Sequence, residues 1–335
     1  MPNMTATQIT KAIVKATGSI FGEAEQRTYQ NSLLGRLIAN EPALFRNLSI
    51  LKQSDEQPTK AQLFTRNKVA SGTAKSAAHS GAFLDTMEKD ITYQKRTQTF
   101  GVSYKQAANN NFNVDEVIQQ GIATAVKNLY EDITAVAVAY LDTNRTQVAT
   151  DSVVAFDGIG FKFDNPAGEA DFIFDNIAAA LRKNKYFPLF DVVGDQPNFK
   201  QFRRIAAQGS GNSTNLSYTI PGIDYVVEEQ ITNSASGQAY AWQKGMVALS
   251  TWNERLNRQG FGDPESNQGF FTTIQDPVFG LLHDVHVTRG VADTSASSGN
   301  TQDVVDQWEI TTIFTLQHAF LSTANETPIF KFVQG

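Results

Sequence analysis

Residues 111–142 read NFNVDEVIQQGIATAVKNLYEDITAVAVAYLD, the most regular stretch of the chain. Val114, Val117, Ile118, Ile122, Ala125, Val126, Leu129, Ile133, Val136, Ala137, Tyr140 and Leu141 recur in steps of three and four, so they share one helix face. Asn113 is placed to cap the N-terminus. Asp115 and Glu116 follow in the first turn, where they favour the positive end of the helix dipole. The spacing predicts one helix over 114–141, roughly 42 Å long at about 1.5 Å per residue. Gln119, Gln120, Lys127, Asn128, Glu131 and Asp132 interrupt any continuous apolar run, which excludes a membrane span. A coiled coil or bundle would need partners of similar quality, and the other convincing helices are few and shorter.

The chain has 335 residues, enough for about two domains or one elongated body with extensions. With 41% hydrophobic residues it can form a core. It has no cysteine, hence no disulfide framework, thiolate chemistry or cysteine metal site. The start MPNMTATQITKAIVKATGSIFG lacks a long apolar core and a cleavage signature, so it reads as no signal peptide, with synthesis inside the cell.

Net charge is −6, which argues against a dedicated nucleic-acid binder. Its distribution is uneven. Residues 59–105 carry eight Lys or Arg against three acids, and residues 150–335 carry twelve basic against twenty-one acidic residues. A basic segment on an acidic body invites intermolecular pairing, which salt should weaken.

Along the chain, residues 1–50 read as an arm with two helical stretches, followed by the polar connector SILKQSDEQPTK. AQLFTRNKVASG and ITYQKRTQTFGVSYK have strand character, and the segment between them has little core signal. A lone two-stranded hairpin is marginal in water. This flap therefore folds over the rest of the chain or lies on another molecule, and its basic charge and weak apolarity favour the second. Residues 150–250 read as an α/β region. ADFIFDNIAAALRKNKYF is a helix, FPLFDVVGD a buried strand, and QPNFKQFRRIAAQG a helix opened near Pro197 and closed by Gly209. IDYVVEEQI and AYAWQKGMVALS are strands, and TWNERLNRQG suggests a short helix. The tail is β: DPVFGLLHDVHVTRG, VVDQWEITTIFTLQHAFL and TPIFKFVQ, with VADTSASSGNTQD as a turn or loop.

Catalytic chemistry is sparse. His283 and His286 in HDVH would face opposite sides of a strand, so they do not make a metal pair. No Walker loop, dinucleotide fingerprint or nucleophile elbow is present. GSGNSTN (209–215) lacks the Lys-Ser/Thr of a phosphate loop. Glu228 and Glu229 are strand neighbours that point apart, and Asp157 and Asp164 flank a hairpin-like GIGFKF. Lys200, Arg203 and Arg204 gather on a predicted helix, as a solvated face, a subunit contact or a nucleic-acid contact. These residues imply no catalytic site, cofactor or metal.

The order of arm, basic flap, long helix, α/β body and terminal strands resembles the major capsid protein of tailed bacteriophages, the Hong Kong 97 fold family. The match is carried by ITYQKRTQTFGVSYK running into helix 114–141, by FDVVGDQPNFKQFRRIAAQG…IDYVVEEQI, and by the terminal pair WEITTIFTLQHAF…TPIFKFVQG. The resemblance implies an α+β fold with an N-terminal arm (1–54), an extended E-loop hairpin (55–105) and a peripheral domain with its spine helix (106–149). It further implies an axial domain (150–260) and return strands, mainly peripheral (261–335). Residues 208–220 would sit near the axial tip. The implied function is a structural protein, not an enzyme, that assembles through hexamers and pentamers into an icosahedral shell around the phage genome. Its implied place is the virion capsid, assembled in the host cytoplasm without a membrane.

The implied partners are many copies of the chain, portal, scaffold and decoration proteins, and packaged DNA through weak, non-specific contact. Arg66, Lys68, Lys75, Lys89, Lys95 and Arg96 are the flap residues expected at intersubunit contacts. Some relatives crosslink a flap lysine to a neighbour's asparagine, and Lys68 or Lys75 with one of Asn109–Asn111 are the candidates by residue type. The Met1 start carries the expectation that no long scaffolding region precedes the arm. Three alternatives stand beside the phage shell: an encapsulin-like nanocompartment, another virion component, and a soluble α/β enzyme acting within 150–260.

Overall fold

The stripe on residues 114–141 forms the helix it predicts, which runs to Thr143 and buries the same face with Tyr130 and Thr134 added. The computed structural model describes residues 6–17, 22–44, 57–64, 86–105, 114–148, 154–162, 173–209, 222–231, 237–253, 262–263, 269–293, 295–299, 301–319 and 325–333. In chain order the helices are α1 (Ala6–Thr17), α2 (Glu23–Gln30), α3 (Leu33–Ala39), α4 (Glu41–Leu44), α5 (Val114–Thr143), α6 (Ile173–Lys183), α7 (Gln196–Gly209) and α8 (Ser295–Ser298). The first strands are β1 (Lys60–Phe64), β2 (Thr86–Asp90), β3 (Gln94–Ser103), β4 (Phe161–Lys162), β5 (Phe190–Gly194), β6 (Ile223–Val227) and β7 (Gln238–Gln243). They are followed by β8 (Val247–Trp252), β9 (Gly262–Asp263), β10 (Gly269–Gln275), β11 (Leu282–Ala292), β12 (Asp303–His318) and β13 (Phe330–Val333).

Two sheets organise the body. The first runs β3-β12-β11-β10-β9, with β8 on the far end of β12. The alternation in β12 sends Trp308, Ile310 and Phe314 inward, where they join Ile122, Leu129 and Ile133 of α5 in the larger core. Gly121 lets the helix approach β3: a Cβ there would lie 2.5 Å from the Phe100 ring. The second sheet runs β4-β13-β7-β5-β6 and buries Phe161, Phe190, Val192 and Phe332 with Phe174 and Ile177 of α6 and Phe202 of α7. Its joint to the first lies at the end of α5. There Asp142 accepts hydrogen bonds from Lys331 Nζ and Tyr240 OH, both at 2.7 Å.

Several expectations are corrected. Residues 55–105 are not one hairpin. β1 pairs with β2 in register Lys60↔Asp90, and β3 makes ten pairs with β12 inside the body sheet. The pattern of ITYQKRTQTFGVSYK is that of a half-exposed strand, which fits a sheet edge as well as a free hairpin. The arm assigned to 1–54 is docked over its described residues: Ile9, Ile13, Leu33, Leu34 and Leu37 lie in the larger core. Burying each of these side chains is worth about 1.5–3 kcal/mol. Arg36 adds a two-pronged ion pair to Asp224 of β6, at 2.6 and 2.7 Å.

The assignments of 150–260 to one unit and 261–335 mainly to the other are crossed twice. β8 leaves the α/β region to pair with β12, and β13 joins β7 and β4 rather than its predicted mate β12. Thr251 and Trp252, read as the start of a helix, are the end of β8. The polar run before residue 269 hid β10, which pairs with β11 over six residues.

Candidate intersubunit surface

Among the described residues, the ribbon β1–β2 has little support from its own chain beyond its base. It forms a sheet of its own, and its Lys60–Glu88 ion pair, at 3.1 Å, is more than half exposed on both sides. Among the described residues, its contacts with the body lie at its base. Ile91 N donates to Thr59 O, and Ala61 and Ile91 pack on Ala248 with Tyr93 and Leu44 at the margin. Beside this base stands His318, the last residue of β12. Burial, with Lys89 nearby, pushes its pKa down to about 4 against the pull of its hydrogen bond to Ala319 O.

Of the six flap residues, Lys89, Lys95 and Arg96 are among the described residues, and these three lie on two different elements. Arg66, Lys68 and Lys75 lie outside the described residues, as do Asn109–Asn111, Asp164 and residues 210–220. Lys89 is half-buried at the ribbon base, where burial lowers its pKa. Lys95 and Arg96 belong to β3 and point to opposite faces of the body sheet, opposite Ile313 and Thr312. With these two and Lys105 assigned to the body, residues 59–93 keep five basic against three acidic residues, a net of +2. The charge asymmetry of the ribbon itself is therefore small.

The sequence reading missed the open face of the first sheet. A shallow groove of 280 Å³ runs across it, lined among others by Lys95, Thr97, Asp284, His286, Glu309 and Thr311. His286 stacks on Phe271 there, with ring centroids 4.2 Å apart. Period-2 placement of 284, 286, 309 and 311 was the available signal, but it required knowing which strands are neighbours. In the loop that enters β5, Phe187 and Leu189 are 71% and 63% exposed. Leu189 has φ 90°, a conformation costly for a side-chain-bearing residue.

Polar constellations elsewhere serve the fold. His283 Nδ1 meets Thr312 Oγ1 at 2.7 Å and His283 Nε2 lies 3.5 Å from Asp276 Oδ2. A hydroxyl, an imidazole and a carboxylate in line are the parts of an acyl-transfer site. All three are buried between sheet and helix, so no substrate reaches them. Burial would raise the Asp276 carboxyl, but His283 and the backbone N–H of Phe279 hold it below the usual range. Asp157 caps its own turn, accepting from Ile159 N and Gly160 N at 2.8 Å. Glu228 is buried at the end of β6, while Glu229 accepts from Gln196 Nε2 at 3.3 Å. Lys200 and Arg203 are exposed, with Arg203 over the Phe199 ring. Among the described residues no group of three or more His, Asp or Glu is placed to hold a metal, and no helix is long and apolar enough to cross a membrane.

The comparisons bear on the architecture. No protein-family model and no curated protein matches the sequence. Solved structures do match. A chain from Mycobacterium phage Che8 aligns over 90% of this chain and 90% of its own, at 13% identity and TM-score 0.52. The capsid of Ralstonia phage GP4 aligns over 83% of this chain and 84% of its own, at 7% identity and TM-score 0.50. A virus-like particle from Pyrococcus furiosus aligns over 97% and 96%, at 9% identity and TM-score 0.42. With the first two over most of its length, the chain shares the α+β Hong Kong 97-type capsid fold.

Proposed function

We propose, for a chain with the fold of tailed-phage capsid subunits, that it is a structural shell protein that assembles with many copies of itself into a closed virion capsid. The observation that carries this is the β1–β2 ribbon. Among the described residues it is anchored at its base, on a Hong Kong 97-type body. A ribbon of two five-residue strands has too little apolar burial to be stable alone. Contact with a neighbouring copy supplies what it lacks, and large obligate interfaces commonly bury roughly 2,000 Å² or more.

In this reading 57–93 clasps the adjacent copy, α5 is the beam that carries the peripheral sheet, and the second sheet is the axial domain. Hexamers and pentamers are the closed rings that such head-to-tail contacts form. Portal, scaffold and decoration proteins, and packaged DNA, are secondary partners, and assembly takes place in the host cytoplasm. The ribbon's small net charge assigns the clasp mainly to backbone and packing contacts, so it depends less on salt than the charge count over 59–105 implies.

Replacing residues 65–85 by a short Gly-Ser linker tests the clasp. Light scattering should show capsomers or monomers that no longer close into shells. Normal shells from that variant contradict the reading. The contents of the intact particle separate a genome-filled capsid from an encapsulin-like compartment around protein cargo.

A further inference from the structure

The groove on the open face of the first sheet rests on a rigid floor. Four neighbouring strands, β3, β12, β11 and β10, build it, each paired in register with the next. Alternate residues of these strands face α5 and the larger core, so the intervening ones share the opposite face. Register sets two rows across that face. One reads Thr273, Asp284, Thr311 and Thr97. The other reads Phe271, His286, Glu309 and Thr99. The groove follows these rows. Several of its groups are already fixed. Thr97 Oγ1 and Thr311 Oγ1 lie 2.9 Å apart, and Asn253 Nδ2 donates to Asp284 Oδ1 at 2.6 Å. Glu309 and Thr97 are exposed, and Asp284 and Thr311 are half-buried. A site built on paired strands holds its geometry better than one built on loops.

We propose that this groove binds a carbohydrate, one or two rings of a neutral sugar chain. The inference goes beyond the shell reading and does not depend on it. A sugar presents many hydroxyls at fixed angles and one face of C–H groups. The Asp284 and Glu309 carboxylates accept from hydroxyls in charge-assisted hydrogen bonds, and the Thr97 and Thr311 hydroxyls donate and accept. Phe271, stacked with His286, supplies aromatic surface for the C–H face. The volume, 280 Å³, lies just under the range of about 300–1,000 Å³ of drug-sized sites. Other occupants fit less well. Two carboxylates against Lys95 oppose a phosphate backbone. The floor presents side chains, because the backbone of β11 and β12 is spent on pairing to both sides, so an extended peptide cannot add to it as a strand. A protein partner needs a desolvated apolar anchor, and of the apolar lining Val285 and Ile313 are buried.

Saturation-transfer NMR on the full chain tests this, with lactose, maltose and N,N′-diacetylchitobiose as probes and a short oligodeoxynucleotide as the anionic comparison. At least one sugar should receive transfer, with a dissociation constant of about 1 mM, as suits an open groove. Glu309→Ala and Thr311→Val remove one carboxylate and one hydroxyl from the face turned away from the core, so the fold stays intact, which circular dichroism verifies. Each should weaken binding roughly tenfold, the loss of one hydrogen bond. No transfer to any of the three sugars overturns the inference. Transfer that survives unchanged in both variants places the sugar elsewhere and overturns it too. Binding of the oligonucleotide in place of the sugars overturns the class of ligand. Transfer in free subunits that vanishes in assembled particles gives the face to a neighbouring copy, and overturns the inference while leaving the shell reading standing.

Discussion

Lys331 Nζ lies 2.7 Å from Asp142 Oδ1, which ties the last strand of the second sheet to the last turn of the long helix. Burial alone would raise the Asp142 carboxyl. Hydrogen bonds from Lys331 and Tyr240, with the Lys331 and Arg145 charges, bring it below its ordinary value instead. A carboxyl lowered on folding stabilises the folded state above its unfolded pKa, about 3.9, and that stability is lost as pH falls through the folded value. Asp142 is 45% exposed, so solvent screens the pair. Lys331→Met should cost about 1 kcal/mol at neutral pH. Its deficit should shrink in urea melts taken below about pH 4.

Asp276 sits at the turn between β10 and β11 and accepts from Val278 N, Phe279 N and Leu281 N at 2.8, 2.8 and 2.9 Å. Asp276→Ala would strand these donors beside the buried His283, and each unsatisfied group costs about 1–3 kcal/mol. The expected loss is roughly 3 kcal/mol or more, read as a lower midpoint in chemical denaturation. Asp276→Asn keeps part of the acceptor capacity and should lose less.

Gly121→Ala sets two effects against each other. Alanine favours a helix over glycine by about 1 kcal/mol. Its Cβ would lie 2.5 Å from Phe100 Cε2, where the ring is held against Trp308. Overpacking of this kind costs about 1–3 kcal/mol, so the variant should be less stable despite its better propensity. In a Phe100→Leu background the penalty should fall, which a double-mutant cycle of thermal melts reads directly.

His318 gives the ribbon base a pH dependence of definite sign. Its folded pKa of about 4 lies below the ordinary 6.5, so its contribution is complete above pH 6.5 and is lost as pH falls toward 4. That gap corresponds to roughly 3 kcal/mol. His318→Gln should flatten the stability profile between these limits. An unchanged slope in the variant means that another group sets it.

The long helix was legible because thirty residues of 3.6-residue periodicity leave one solution. The buried β5, the helices α6 and α7, and the hairpin β11–β12 were legible for similar local reasons. Sheet membership was not. Nothing in TPIFKFVQ says that Phe330 faces Ala241 rather than a residue of β12, because both are apolar strands and the choice is made at long range. Residues 94–103 looked like part of a free flap because an edge strand and a hairpin arm share one half-exposed pattern, and charge counting then credited Lys95 and Arg96 to the wrong element. The first sheet's open face was missed because its members come from strands far apart in sequence. The N-terminal helices were read as helices but their docking was not, because Ile9, Ile13 and Leu37 are too few, taken locally, to announce a buried face.

Electron micrographs of the purified 335-residue chain, expressed alone and concentrated, test the central claim most directly. The account predicts closed particles of uniform diameter built from ringed capsomers. A population of single subunits at every concentration, with residues 57–93 stably folded and protected in the monomer, would contradict it.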